Sequence, residues 1–260
     1  MEKYVALYDI HAGWEWMHVS GSRVVKPTMD EKAISIALDF INDFKPTVII
    51  FGGDQINCGP ISHWNNDYPG RIGNFTLKDE LDYFSDVILS KLKFKHKTRK
   101  IWHRGNHERW VSDLLDKHPG LMGLVSIEQY LQLSKRNFEI YDYGEHSTVG
   151  KLRFIHGENV PGGINIARNA ALRYNTNLRM GHFHTYQVYS MFNPLDVSDI
   201  KNVIVSPCLS TRGPQYGNNA PNNHVNGFLY GYINDDGNFS DSAIIIADNK
   251  TMVNNKAYSA

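Results

Sequence analysis

The chain has 260 residues, of which 42% are hydrophobic, enough for one large core or at most two small ones. Its 27 basic and 27 acidic residues leave a formal net charge of zero, so a sequence-independent attraction to nucleic acid is not written into its overall charge. Two cysteines, Cys58 and Cys208, exclude a disulfide framework and suit a reducing compartment.

The first residues, MEKYVALYDI, carry no long apolar segment of the signal-peptide kind, and no apolar run approaches the length of a membrane span. A cytoplasmic protein with no membrane partner is expected. YVALY (4–8) reads as a short buried strand. Residues 28–44 read as a helix, with Thr28 and Glu31 as a capping box, Ile34, Ala37, Leu38, Ile41 and Phe44 at helical spacing, and Pro46 as a stop. TVIIF (47–51) is a second strand. A loop rich in Gly, Pro and Asn covers 52–75, and 76–92 is a second helix with Leu77, Leu81, Phe84, Ile88 and Leu92 on one face. TRKIWH (98–103) is a third strand. This order predicts an α/β core with a largely parallel sheet. Two shorter helices at 109–117 and 126–134 follow, the second with Ser126 and Gln129 as a capping pair. Then come FEIYDY, KLRFIH, a helix at 164–174 and the strand LRMGH. From 185 onward TYQVYSMF, NVIVSP, GFLYGYIN and FSDSAIIIA read as an antiparallel meander with a turn at 235–237. With no linker or repeat, a single domain spanning 1–260 is expected.

Five of these apolar strands end in residue types that ligate metals. YVALY leads to Asp9-Ile10-His11, TVIIF to Gly52-Gly53-Asp54, and TRKIWH to Gly105-Asn106-His107-Glu108. KLRFI leads to His156-Gly157, and LRM to Gly181-His182-Phe183-His184. Ligands of an open α/β sheet bind beyond the carboxyl ends of the strands. One rim would therefore collect Asp9, His11, Asp54, Asn106, His156, His182 and His184. In extended chain, residues two apart point to the same side, so Asp9 with His11, and His182 with His184, would each serve one centre. The neighbouring glycines would allow sharp turns behind the strands. Taken singly, a Gly-Asp turn or a histidine bonded to backbone is the plainer reading of each block except Gly181-His182-Phe183-His184, where the two readings balance. The ordered set of five is what argues for a common centre.

These blocks, Asp9-X-His11, Gly53-Asp54, Gly105-Asn106-His107-Glu108, His156-Gly157 and Gly181-His182-X-His184, resemble the five signature blocks of the calcineurin-like metallophosphoesterase superfamily, over residues 9–184. The later features also resemble phage-encoded members: His156-Gly157 before an alanine-rich helix, Ser206-Pro207-Cys208-Leu209, and Asn226-Gly227-Phe228 opening a strand. The resemblance implies an α/β fold of a particular kind, an αββα sandwich of two mixed β-sheets flanked by helices. It also implies two divalent metal ions. Asp9, His11, Asp54 and His184 would hold one, and Asp54, Asn106, His156 and His182 the other, with Asp54 as the bridge because a carboxylate has two oxygens to share. Two divalent ions bring four positive charges. The two aspartates cancel two and a bridging hydroxide a third, leaving one to attract phosphate. The implied reaction is phosphoester hydrolysis by that metal-activated hydroxide. His107 is left off the metals and would donate a proton to the leaving group or stabilise its charge, a structural hydrogen bond being the plainer alternative. Glu108 fits a capping or supporting role. The oxygen and imidazole donors suit manganese by family habit, with iron, zinc or nickel as alternatives.

Phosphoprotein phosphatases of that superfamily carry Gly-Asp-X-X-Asp-Arg-Gly at the second block. This chain reads Gly53-Asp54-Gln55-Ile56-Asn57-Cys58-Gly59, with Asn57 for the second Asp and no Arg. The expectation is a phosphodiesterase or nuclease acting on DNA or another nucleic acid, in the host cytoplasm if the chain is phage-encoded. A phosphomonoesterase taking its arginine from Arg104, Arg109, Arg168 or Arg212 is the alternative, and a non-catalytic scaffold a third reading. Asn57, Arg109 and Arg212 are the candidate substrate contacts. The basic run KLKFKHKTRK (91–100) fits either a nucleic-acid backbone or the solvated end of a helix. Trp14, Trp16, Trp64 and Tyr68 fit either stacking on bases or lid packing.

Overall fold

The computed structural model describes residues 1–94, 97–212 and 222–260. In chain order the first part runs β1 (Glu2–Leu7), the hairpin β2 (Trp14–Val19) and β3 (Ser22–Pro27), α1 (Glu31–Phe44), β4 (Val48–Phe51) and α2 (Leu77–Phe84), which a π-type turn over Ser85–Leu89 prolongs. Next come β5 (Arg99–His103), α3 (Asn106–Lys117), α4 (Ile127–Tyr130), β6 (Phe138–Tyr141), β7 (Ser147–Val149), β8 (Leu152–Phe154), α5 (Ile166–Tyr174) and β9 (Leu178–Met180). The last part is β10 (Gln187–Asn193), β11 (Asp196–Val205), β12 (Gly227–Ile233), β13 (Phe239–Ile245) and a hairpin of β14 (Lys250–Val253) and β15 (Lys256–Ser259).

Two mixed sheets result. The first has the order β13-β12-β1-β4-β5-β6 and the second β10-β11-β9-β8-β7. In the first, β1, β4, β5 and β6 are parallel while β12 runs against β1 and β13 against β12. In the second, β8, β9 and β11 are parallel, with β7 and β10 antiparallel at the edges.

The alternation of side chains along each strand explains why the sheets stack. In β1, Tyr4 and Ala6 face one way, and Tyr8 just beyond continues that face, while Val5 and Leu7 face the other. Val48 and Ile50 of β4 and Ile101 of β5 join the first set, packing on Val149, Leu152, Phe154 and Ile204 of the second sheet. Val5, Leu7, Ile49, Phe51 and Trp102 instead meet the apolar faces of α1 and α2. Strands apolar on both faces are what a sheet covered on both sides requires. On the far side, Ile166, Ala167, Ala170 and Ala171 of α5 cover Leu178, Met180, Val203 and Val205. The layers are therefore helix, sheet, sheet, helix, as the resemblance implied.

Several local expectations are corrected. Asp30, not Thr28, caps α1, its carboxylate accepting from the Lys32 and Ala33 N–H groups, and the Thr28 hydroxyl donates to the His11 carbonyl instead. Residues 14–27 are a hairpin, and α4 ends at Tyr130. α3 begins at Asn106, so the third block opens a helix directly. The meander after 185 is divided: β10 and β11 belong to the second sheet, while β12 and β13 return to the first beside β1. Within the basic run 91–100, residues 95 and 96 lie outside the described residues, and Arg99 is bound to Glu139 at 2.7 Å and to the Thr148 carbonyl at 2.9 Å. Among the described residues, no helix is long and apolar enough to cross a membrane.

One buried ion pair ties the sheets together. Arg179 of β9 is wholly buried, and its Nε and Nη2 donate to Asp241 of β13 at 2.5 and 2.7 Å. Its Nη1 donates to the Leu178 and Asn202 carbonyls, and the Tyr4 hydroxyl donates to the same Asp241. Every nitrogen of the guanidinium is thus occupied, and β9 is fixed two residues before the Gly181-His182 turn. Removing one partner leaves the other charge buried. Asp241→Ala is expected to lower the unfolding free energy by about 3–5 kcal/mol in urea denaturation. A loss under about 1 kcal/mol, the range of an exposed pair, would show that the pair holds nothing together.

Candidate metal centre

The parallel strands of both sheets deliver their carboxyl ends to one place. Asp9 follows β1, Asp54 follows β4, Asn106 follows β5, His156 follows β8, and His182 and His184 follow β9. All seven candidate ligands meet there. Asp9, His11 and His184 form one group of donor atoms, Asp54, His156 and His182 a second, and His11, Asp54 and His107 a third between them, with Asn106 against the second.

The distances suit a shared cation site. His11 Nε2 lies 3.1 Å from His184 Nε2, and His184 Nε2 lies 3.6 Å from Asp9 Oδ1. Asp54 Oδ2 is 3.8 Å from His11 Nε2 and 3.3 Å from His156 Nε2, so one carboxylate oxygen faces both groups. Asn106 Oδ1 lies 3.1 Å from His156 Nε2 and 2.9 Å from His182 Nδ1. Donors bonded to one cation at about 2.0–2.2 Å stand about 3–3.5 Å from each other. Carboxylate, imidazole and amide donors together fit a divalent transition metal.

The histidines are oriented from behind. His156 Nδ1 donates to the Gly52 carbonyl at 3.1 Å, which leaves Nε2 as the nitrogen facing Asp54. His184 Nδ1 meets the Ser210 hydroxyl at 3.3 Å. Burial opposes charge on His156, but the Asp54 carboxylate outweighs it and lifts the imidazole to about 10. Burial would raise the carboxyls of Asp9 and Asp54. The His184 imidazole beside Asp9 and the His156 imidazole beside Asp54 instead hold them below the usual range. Positive charge is what this centre demands.

The backbone is not extended here, contrary to expectation. Asp9, His11, Asp54, His182 and His184 all have positive φ, between 51° and 74°. Each costs roughly 1–2 kcal/mol in an L-residue. Hydrogen bonds to neighbouring segments hold them there: Asp9 N to the Gly53 carbonyl at 3.1 Å, His11 N to the Asp54 carbonyl at 2.9 Å, and His182 N to the Asp9 carboxylate at 2.8 Å. The two histidines of the last block consequently diverge, His184 toward Asp9 and His182 toward Asp54.

Glu108 fastens the second block to the third. Its carboxylate accepts from Asp54 N at 3.0 Å, Ile56 N at 2.9 Å and Gly105 N at 2.8 Å. His107 stands beside the bridge. Its backbone N–H donates to Asp54 Oδ1 at 2.9 Å, its Nδ1 donates to the Asn57 carbonyl at 2.6 Å, and its Nε2 lies 3.9 Å from Asp54 Oδ2. Asn57 thus enters through its backbone. Arg104 is engaged by Glu128 at 2.6 Å and Asp142 at 2.5 Å, Arg109 is exposed beside Asp113, and Arg168 and Arg212 are exposed.

Two further contributors come from the chain beyond 185. Ser210 reaches His184, and the His224 ring lies 4.7 Å from that of His184. Burial pushes His224 down to about 4, so it faces the centre as a neutral imidazole. Neither residue carries a local signal, since Leu-Ser-Thr and Asn-His-Val are ordinary loop sequences.

Gly105 makes the close approach possible, for a Cβ there would collide with Asp54 Oδ1 and its backbone N. Added manganese is expected to raise the Tm of the parent chain, and Gly105→Ala to keep a cooperative thermal transition but to lose that rise. An unchanged manganese-dependent shift, read by differential scanning fluorimetry, would contradict this placement of Asp54.

No protein-family model matches the chain, and no curated protein matches it. Its fold is similar to those of several solved structures at low identity. Vps29 from Entamoeba histolytica, crystallised with zinc, is 12% identical, with 99% of this chain and 98% of that chain covered at a TM-score of 0.45. YfcE, a phosphoesterase from E. coli, is 15% identical, with 92% and 98% covered at a TM-score of 0.39. The 5'-nucleotidase precursor from Thermus thermophilus is 14% identical, with 94% of this chain but 54% of that chain covered at a TM-score of 0.39. These likenesses concern the course of the chain and lend no side chain a role.

Proposed function

We propose that this chain is a two-metal phosphoesterase, and that its substrates are phosphodiesters of DNA or another nucleic acid. The observation that carries the reading is the position of Asp54, a buried carboxylate facing two donor groups at once with His107 beside it. Asp9, His11, Asp54 and His184 would hold one cation, and Asp54, Asn106, His156 and His182 the other, manganese being the metal proposed. When bound, such a pair supplies positive charge for the phosphoester and lowers the pKa of water to near neutrality.

The protein's own groups divide the remaining work. Glu108 and the Gly52 and Asn57 carbonyls hold Asp54, His156 and His107 in place. Because the Asn57 carbonyl can only accept, His107 Nδ1 is committed as a donor. Nε2 is then the nitrogen that exchanges a proton with the leaving oxygen. A diester carries one negative charge and needs no arginine clamp, which agrees with Arg104 being tied to two carboxylates.

Asp54→Ala is expected to lose binding of both metal equivalents in calorimetric titration, since it strips a donor from each group. His107→Ala is expected to retain both and to lose about 10²–10⁴ in kcat on an ester with a poor leaving group. Full rate in that variant would remove His107 from the chemistry. The substrate class is read by offering manganese-loaded protein bis(p-nitrophenyl) phosphate, p-nitrophenyl phosphate, plasmid and single-stranded DNA. Hydrolysis of the monoester alone would replace the diesterase reading by a phosphomonoesterase, and no hydrolysis with any metal would leave a scaffold.

A further inference from the structure

The four loop aromatics separate in the structure. Trp14 is stacked between Phe75, at 5.1 Å between ring centroids, and Tyr83, at 4.3 Å. Trp16 is covered by Arg23 at 4.7 Å. Tyr68 is covered by Arg71 at 4.3 Å. Trp14 and Trp16 are packing partners within the chain, while Tyr68, 56% exposed, has one face taken by the Arg71 guanidinium. Trp64 is 69% exposed and makes a ring contact to His63 at 4.6 Å.

That contact continues inward. The His63 ring meets Trp110 edge-on at 5.6 Å, and Trp110 lies nearly parallel to His107 at 4.0 Å with a 31° tilt. His107 in turn stands edge-on to His11 at 4.4 Å. A row of touching rings therefore leads from the candidate metal centre, past the histidine on the leaving-group side, to an exposed indole. Trp110 is in the row because it sits one helical turn after His107 on α3. Trp64 is there because its loop is fastened: Gly59 N donates to the buried Glu80 carboxylate at 3.2 Å, and the Asn65 side chain donates to the Gly59 carbonyl at 3.0 Å. A single exposed tryptophan needs no explanation. A fastened one at the end of an aromatic row that begins at the reactive centre does.

We propose that this row is the leaving-side subsite, and that the Trp64 face takes the base of the nucleoside that departs, so that single-stranded nucleic acid is the favoured form of substrate. The inference rests on the phosphodiesterase reading. A planar base carried by the departing sugar is a leaving group whose flat face matches the rings of this row. Every base has a π-face, so the subsite accepts any base, and a paired base, whose face is covered by its stacked neighbours, is refused. Trp64 acts on specificity and touches no reacting atom.

Trp64 is exposed, so Trp64→Ala leaves the core intact, and Trp64→Phe keeps a ring. Binding is read by fluorescence anisotropy of 5'-fluorescein-labelled octathymidylate, with and without manganese. Trp64→Ala is expected to raise Kd by about 5- to 150-fold, the range of one lost base stack, with Trp64→Phe recovering most of it. In turnover, Trp64→Ala is expected to raise KM for a thymidine dinucleotide and to leave KM unchanged for the analogue whose departing sugar has no base. Equal Kd in the parent and Trp64→Ala chains, or equal KM effects on both dinucleotides, would overturn the subsite. If no ester is hydrolysed but the Kd effect is present, the subsite stands as a binding surface and the hydrolase reading falls.

Discussion

A carboxylate taken out of water must be neutralised, and in this protein that demand falls on Asp54. It is 2% exposed, its Oδ2 faces imidazole nitrogens of His11, His107 and His156 at 3.3–3.9 Å, and its Oδ1 takes an N–H from the backbone. An uncompensated ion at such a depth costs several kcal/mol. Segments from both sheets end around it and bring the groups that answer its charge. The rise of His156 to about 10, driven against burial by the Asp54 carboxylate, expresses the same demand.

Neutralisation alone would not place the groups so closely, and the backbone supplies the rest. Strands spaced by main-chain hydrogen bonds bring their ends together, but side chains leaving an extended chain would point up and down alternately. The left-handed turns at Asp9, His11, Asp54, His182 and His184 swing consecutive polar groups inward. Glycine at 105 removes the Cβ that would otherwise keep the third block away from Asp54. Strain of this kind persists only where surrounding contacts over-determine it. The Glu108 carboxylate with its three backbone donors, and the Arg179–Asp241 pair beneath the last block, are those contacts. Rigidity of the sheets and tension at the rim are thus two aspects of one arrangement.

Outside that rim, loops decide what can approach. The segment between β4 and α2 carries its polypeptide past His107, which binds the Asn57 carbonyl, and then presents Trp64 to solvent. Its anchoring through Glu80 uses a carboxyl that burial lifts well above the usual range. The same loop therefore orients a side chain of the centre and shapes the surface beyond it.

Much of this was written in the residues themselves. Apolar runs of three to six residues, each leading to Asp, Asn or His, marked both the buried strands and the rim, because a strand must be apolar to be buried and its end must be polar to meet a ligand. The seven residues expected to converge lie together. Local pattern did not disclose the second sheet, whose strands β7, β8 and β9 are three residues each, too short for periodicity to speak. Nor could it separate Trp14 from Trp64, identical residues of which one is stacked between two rings and the other exposed. Ser210 and His224 reach the centre only because β11 lies parallel to β9 and the chain then returns to the first sheet. The sequence by itself determined which groups are capable of holding a cation, since that is chemistry of side-chain type and strand end. Tertiary structure alone decided which way each one turns and what stands behind it, since positive φ and contacts between distant segments are properties of the assembled chain.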